Sequence, residues 1–136
     1  MGRLELEDVT LDYRVTGEGP PVVLVCGCGQ PAVAWELGVA PRLVEAGFEV
    51  VTFDNRGVAP SSSPPAPYSV DQMAGDTLAL LDHLGIERAR LAGYSMGGWI
   101  AETVCARRPE RVSAAALIGS CNVSTSWERA VTAAEL

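Results

Sequence analysis

Residues 91–99 read LAGYSMGGW, and within them Ser95 lies between glycines in the pattern Gly-x-Ser-x-Gly. An apolar stretch precedes the serine and a stretch of helical character follows it. A strand that runs directly into a helix needs a sharp turn, and Gly93 and Gly97 allow one because neighbouring Cβ atoms would collide there. The serine hydroxyl would project from the strand end, where the free N–H groups of the new helix also point. The pattern therefore predicts a serine nucleophile, with the N–H of Met96 as an oxyanion donor.

The rest of the chain alternates between apolar strands and helices. Residues 2–17 alternate apolar and polar positions, which indicates an antiparallel hairpin with one wet face. Continuous apolar stretches further along are typical of strands buried on both faces. The alternation predicts a single α/β domain over 1–136, with a mostly parallel sheet, helices on both faces and the hairpin at one edge. The predicted strands are PPVVLVCG, FEVVTFD, RARLAGY and VSAAALIG; the predicted helices cover about 34–46, 70–84 and 95–107, with Ser69 as a cap and Gly47 and Gly85 as stops.

Composition excludes several classes of partner. The 136 residues carry a formal net charge of −7, which argues against a nucleic-acid surface because phosphate binding needs clustered Lys and Arg. No stretch reaches the roughly 18 apolar residues of a membrane span. The N-terminus MGRLELEDVT alternates charged and apolar residues, unlike a signal peptide. We therefore expect a cytoplasmic protein with neither a nucleic-acid nor a membrane partner.

The four cysteines are expected to be free thiols. A zinc site would need paired Cys-x-x-Cys spacing, and the single histidine is distant in sequence. The sequence therefore predicts no metal site and no cofactor. The cysteines are Cys26, Cys28, Cys105 and Cys121.

GYSMGG resembles the nucleophile elbow of the α/β-hydrolase fold family. TFDNRGVAPS resembles a second signature of that family, D-x-R-G-x-G-x-S, through Asp54, Arg56, Gly57 and Ser61, with Ala59 where the family usually has glycine. The resemblance runs from about residue 10 to the end of the chain. It implies acyl transfer from a small-molecule ester or related carbonyl substrate to water through a serine acyl-enzyme. It also implies that Asp54, Arg56 and Gly57 brace the loop beside the pocket.

The oxyanion loop of that family usually reads His-Gly after the first buried strand, where this chain reads VCGCG. Cys26 takes the place of the histidine and Gly27 matches the glycine. Because the donor is a backbone N–H, the resemblance implies that Cys28, the next residue, supplies the second oxyanion donor. Trp35 and Tyr94 are candidates to line the substrate pocket, and equally candidates for the core.

A base for the serine is missing from the pattern. A serine nucleophile needs an adjacent base, usually a histidine oriented by a carboxylate. His83 precedes Ser95, whereas this family places its histidine last, so His83 is interpreted as a helix-surface residue. The loop GSCNVS after the last predicted strand has no acid. The sequence thus resembles a truncated α/β-hydrolase fold that lacks the last strands, with 125–136 as the start of a lid helix.

The last predicted strand, over 112–118, would be an open sheet edge. It contains no Lys, Pro or charge that would prevent pairing with another strand. We therefore expect pairing at this edge, either with another copy of the chain in a homo-oligomer or with a complementing C-terminal half. In the second case the complementing half supplies the remaining strands, the acid and the histidine.

Two other functions remain open. The same fold with the serine but no base would be a binding module or an inactive enzyme. GCGQPA, residues 27–32, also fits the dinucleotide-binding pattern G-x-G-x-x-A, with Asp54 at the end of the next strand. Pro31 lies where the phosphate-binding helix would begin, and the pattern leaves GYSMGG unexplained, so this alternative is the weaker one.

Overall fold

The computed structural model describes residues 1–120, which form a six-stranded mixed sheet with helices on both faces. This arrangement confirms the predicted α/β class, with its mostly parallel sheet and N-terminal hairpin. The strands are β1 (Gly2–Glu5), β2 (Thr10–Thr16), β3 (Pro21–Val25), β4 (Glu49–Phe53), β5 (Ala89–Tyr94) and β6 (Val112–Ile118). Their order across the sheet is β1-β2-β4-β3-β5-β6.

Strand direction divides the sheet into two parts. β1 pairs antiparallel with β2, and β2 pairs antiparallel with β4. The pairs β4–β3, β3–β5 and β5–β6 are all parallel. Since the carboxyl ends of parallel strands meet at one edge, the loops after β3, β4 and β5 gather at the same end of the sheet.

Alternate residues of the central strands enter two separate cores. Val23 and Val51 face one core, which also contains Leu80 and Ile100 from the long helices. Their neighbours Val22, Leu24 and Val50 face the other core, beneath the short helices that follow β3. Apolar residues at successive positions are therefore explained by burial on both faces of the sheet.

The helix predicted over 34–46 is wrong in one respect, because the structure has two short helices there. α1 covers Val33–Glu36 and α2 covers Val39–Glu45. Gly38, with φ −122° and ψ −79°, separates them, and glycine is a poor helix residue because its backbone has the most freedom to lose. The predicted stop at Gly47 is confirmed by its left-handed φ of +84°.

The two long helices follow their sequence signals closely. α3 covers Val70–His83, and α4 covers Met96–Arg107. Ser69 caps α3 by accepting from the Gln72 N–H, while the Gln72 side chain accepts from the Ser69 N–H, so a capping box fixes the start. No helix within residues 1–120 combines the length and apolar character that a membrane crossing requires. The lid helix predicted over 125–136 lies outside the described residues.

β6 lies at the edge of the sheet, as predicted. β5 is its partner on one side, and its residues from Ser113 to Ile118 are exposed. Leu117 is 46% exposed and Ile118 44% exposed, although both are large apolar residues. Within residues 1–120, this strand therefore leaves both an apolar surface and one row of backbone groups uncovered.

Candidate active site

Ser95 occupies a strained turn between β5 and α4. Its φ of +53° and ψ of −120° are unusual, and it is the sole non-glycine residue with positive φ within residues 1–120. Two backbone hydrogen bonds hold it: its N–H donates to the Ile118 carbonyl at 2.9 Å, and its carbonyl accepts from the Gly98 N–H at 2.9 Å. The strain is thus maintained by the surrounding backbone, as expected for a functional turn.

The glycines around Ser95 are required by close backbone contacts. A Cβ on Gly93 would overlap the Gly97 carbonyl group, and a Cβ on Gly97 would overlap the carbonyl of Val25. α4 therefore begins directly against β3 and β5. The N–H of Met96, at the first helical position, has no partner within its own helix, as is general for the first turn.

The loop after β3 lies beside Ser95 and forms a tight turn over 27–30. The Gln30 N–H donates to the Gly27 carbonyl at 3.3 Å, and Gly29 has φ +62°. A Cβ on Gly27 would lie 3.4 Å from the Cβ of Ser95. Cys28, the donor predicted from the sequence, is exposed at the tip of this turn, as is Gly29. The structure thus brings the turn that contains Cys28 next to the serine.

Asn55 fixes the start of this turn. Its side-chain Nδ2 donates to the Cys26 carbonyl oxygen at 3.0 Å, and both residues are buried. Burial raises the pKa of the Cys26 thiol to about 12, so this cysteine is held as an un-ionised core residue. Sequence reasoning missed Asn55, since it occupies a variable position in the second family signature.

Asp54, directly after β4, bonds the residue that precedes α1. Its Oδ1 accepts from the Ala32 N–H at 2.8 Å, and its own carbonyl accepts from the Ser61 hydroxyl at 2.6 Å. The Ser61 Oγ in turn accepts from the Asp12 N–H at 2.9 Å. Burial raises the pKa of Asp54 above its usual value, against the lowering effect of the Ala32 hydrogen bond. Through these contacts Asp54 holds the loops after β3 and β4 beside each other.

Arg56, in the loop after β4, is buried and bonds two carboxylates. Two of its nitrogens donate to the Asp76 carboxylate at 2.7 and 2.8 Å, and another donates to Asp8 at 2.8 Å. The hydrogen bonds that Arg56 donates to these carboxylates, chiefly to Asp76, raise the pKa of Arg56 above its usual value. The Tyr68 ring covers the guanidinium at 6.0 Å and also packs against Gly57, whose φ is +83°. The contacts of Arg56 and Gly57 are therefore with the two carboxylates and with Tyr68.

The two candidate pocket residues have different environments. Trp35 belongs to α1, and its side chain is buried in one core with Leu24 and Cys26, so it packs as a core residue. Tyr94 directly precedes Ser95 and is 45% exposed. Tyr94 therefore remains at the surface of the candidate site, whereas Trp35 does not.

His83 does not contact Ser95. Its Nε2 lies 3.0 Å from the Tyr13 hydroxyl, and the two rings meet edge to face with centroids 5.5 Å apart. Tyr13 belongs to β2. Because β4 and β3 lie between β2 and β5, the strand of Tyr13 and the strand that leads to Ser95 are roughly 14 Å apart. No three His, Cys, Asp or Glu side chains in the part of the chain that the structure describes are arranged to hold a metal ion.

A family model described as "alpha/beta hydrolase fold" matches residues 20–134 of this chain. The chain is 36% identical over 112 residues to the "Putative non-heme bromoperoxidase BpoC" of Mycobacterium tuberculosis, covering 82% of this chain. It is 34% identical over 110 residues, or 79% of this chain, to 3-oxoadipate enol-lactonase 2 of Acinetobacter baylyi. Among solved structures, the enol-lactonase from Burkholderia xenovorans LB400 superposes with a TM-score of 0.82 at 34% identity, covering 88% of this chain.

The matched region is one part of these proteins. The chain spans 42% of the bromoperoxidase, 40% of the Acinetobacter lactonase and 46% of the Burkholderia structure. The match therefore concerns the half of the fold that contains Ser95 and the neighbouring turns.

Proposed function

We propose, from the premise that this chain belongs to the alpha/beta hydrolase fold family, that it contains the nucleophile and oxyanion site of a serine hydrolase. The observation that carries the proposal is the strained backbone of Ser95, with φ +53°, beside the turn over 27–30. Strain of this kind persists where the surrounding structure imposes it, and it exposes the hydroxyl at a strand-to-helix turn.

The proposed reaction is acyl transfer from an ester or lactone to water. The Ser95 Oγ attacks the substrate carbonyl carbon, and its proton passes to a histidine base. The N–H groups of Met96 and Cys28 stabilise the oxyanion that forms. The carbon–oxygen bond to the leaving group then breaks, with the histidine returning the proton to the leaving oxygen. Water attacks the acyl-enzyme by the same route and restores the serine.

His83, the single histidine of the sequence, is engaged with Tyr13 and is not the base of the proposed reaction. We infer that a complementing polypeptide segment pairs with the open edge of β6 and supplies the histidine and the carboxylate. Two observations support this edge: the exposed apolar residues of β6, and the hydrogen bond from the Ser95 N–H to Ile118 at its end. The greater length of the relatives is compatible with such a segment.

Chemical rescue tests this function on the chain as it exists. Imidazole in solution can take the place of the missing base, so hydrolysis of 4-nitrophenyl acetate is measured with and without it. We expect the chain to add a rate beyond that of imidazole alone, and Ser95→Ala to abolish the addition. Ser63→Ala, which removes an exposed loop serine, is the matched control and should retain it. Equal rates for the wild type and Ser95→Ala would reject the proposal.

A binding module without catalysis is the second candidate, favoured by the engagement of His83 with Tyr13. It predicts ester binding with no imidazole-dependent turnover. The dinucleotide alternative is poorly compatible with the site. The Ala32 N–H, which would face a phosphate, is bonded to Asp54, and the helix after the loop has four residues.

A further inference from the structure

The side chain of Gln30 folds back over the turn over 27–30. Its Oε1 accepts from the Gly27 N–H at 3.2 Å, while its own backbone N–H donates to the Gly27 carbonyl at 3.3 Å. Gly27 therefore has both backbone groups bonded to one residue. Because a backbone N–H needs an acceptor, this contact also fixes which end of the Gln30 amide faces Gly27.

The turn has the geometry of type II. Gly27 accepts from the residue three positions on, and positive φ occurs at Gly29, the third residue. Cys28 is the second residue of this turn. A turn of four residues whose tip is exposed has few other contacts to hold it, so the Gln30 side chain is a main restraint on its shape.

Gln30 and Ser95 border the same small space above Gly27. A Cβ on Gly27 would lie 3.4 Å from the Gln30 Oε1, 3.4 Å from the Ser95 Cβ and 3.3 Å from the Tyr94 carbonyl oxygen. The amide nitrogen of Gln30 has no hydrogen-bond partner within residues 1–120. The side chain thus holds the turn from the side that faces the serine.

We propose that Gln30 is a positioning residue for the oxyanion site, an inference that rests on the proposed function. By bonding the Gly27 N–H, its side chain keeps the turn in the shape that presents the Cys28 N–H beside Ser95. A donor that must be ordered during the reaction stabilises the oxyanion less than one that is already in place. Loss of the Gln30 acceptor therefore slows acylation without weakening substrate binding.

Two variants of similar length separate the acceptor from simple space filling. Gln30→Met keeps the bulk but removes the acceptor, and Gln30→Glu keeps the acceptor but adds a negative charge. In Gln30→Met we expect amide hydrogen exchange at Gly27 to become at least tenfold faster, and the maximal imidazole-supported acylation rate to fall about tenfold. This fall is smaller than the 10²–10³ that deletion of an oxyanion donor costs. The half-saturating ester concentration should stay within about twofold, as expected for an interaction made in the transition state.

Gln30→Glu should preserve the slow exchange at Gly27. Its acylation rate, divided by that of the wild type at each pH, should fall as the new carboxyl group ionises, because a negative charge beside the forming oxyanion opposes it. This pH step would show that the side chain at position 30 lies close to the oxyanion, and the combined loss of exchange protection and acylation in Gln30→Met would show that its acceptor positions the turn. Unchanged amide exchange at Gly27 in Gln30→Met would overturn the inference. If the wild type is active, an acylation rate in Gln30→Met equal to that of the wild type would overturn it as well. If the wild type acylates no faster than Ser95→Ala, the proposed function fails, and Gly27 exchange then decides the role of Gln30 in the turn independently.

Discussion

The N–H of Ser95 donates to the carbonyl of Ile118 at 2.9 Å, so the strained turn is fastened to the last residue of the edge strand. Ile118 is itself 44% exposed. A strand that pairs with β6 would therefore order a residue that bonds directly to the candidate nucleophile. Any pairing at this edge would act on the geometry of the serine through this one hydrogen bond.

The first prediction concerns Ala115 on the open side of β6. The Ile118 carbonyl faces β5, and backbone groups alternate in direction along a strand, so the N–H of Ala115 faces away from the sheet. Proline is tolerated on an edge strand where its missing N–H faces outward. Without a complementing segment, we expect the wild-type chain to self-associate through this edge with rising concentration, and Ala115→Pro to remain monomeric. Light scattering after size-exclusion chromatography measures the difference.

Ala115→Val is the matched control, since it retains the N–H and should associate like the wild type. Circular dichroism should show that all three chains are folded. A wild-type chain that stays monomeric at high concentration would contradict pairing between copies at this edge.

The second prediction tests the proposed backbone donor at Cys28. Proline is favoured at the second position of a type II turn, yet it has no N–H. Cys28→Pro should therefore keep the turn and remove the donor, and the imidazole-supported acylation rate should fall by about 10²–10³. Cys28→Ala retains the N–H and should acylate within about threefold of the wild type. Equal rates for the proline and alanine variants would mean that another group stabilises the oxyanion.

The third prediction compares two glycines in helices. A Cβ on Gly97 would overlap the carbonyl of Val25, and backbone cannot move aside cheaply. Gly97→Ala should lower the free energy of unfolding by about 3 kcal/mol or more. Gly75, in α3, is exposed and has nothing within 4 Å of its would-be Cβ. Gly75→Ala should instead raise stability by about 1 kcal/mol, because alanine is the better helix former. Urea unfolding measures both, and similar effects at the two sites would contradict the packing argument.

The parts of the molecule that depend on local geometry were predictable from sequence. Glycines on either side of Ser95 indicate a turn that only small residues permit, and the apolar stretch before it indicates a buried strand. The Ser69 cap and the stop at Gly85 depend on neighbouring residues alone, and the structure has both. The apolar sequence of 112–118 likewise predicted a strand, and the resemblance to a fold with further strands implied that this strand would be an edge; β6 lies at the edge of the described sheet.

Contacts between distant segments were not predictable from sequence. Asn55 bonds a carbonyl that lies 29 residues earlier, and Arg56 bonds Asp8 and Asp76, 48 and 20 residues away. No periodicity or motif encodes which acidic side chain a buried arginine will meet. The break at Gly38 was missed for a related reason: a single glycine lowers helix stability only modestly, and tertiary packing decides whether the helix continues.

The last prediction concerns the pH dependence that Asp54 confers. Burial raises the pKa of this carboxyl above 3.8, so the folded chain holds its proton to a higher pH than the unfolded chain does. Asp54 should therefore lower the free energy of unfolding as the pH rises from about 4 through the raised pKa, and the loss should persist at neutral pH. Asp54→Asn retains an oxygen acceptor for the Ala32 N–H but has no charge to desolvate. Urea unfolding at each pH measures the stability, and between pH 4 and pH 7 the variant should lose less stability than the wild type.

Asp54→Ala is the matched control for this pH prediction. It also removes the charge, but it leaves the Ala32 N–H unbonded and should be less stable than Asp54→Asn throughout. Parallel pH profiles for the wild type and Asp54→Asn would show that the Asp54 carboxyl is not desolvated in the folded chain.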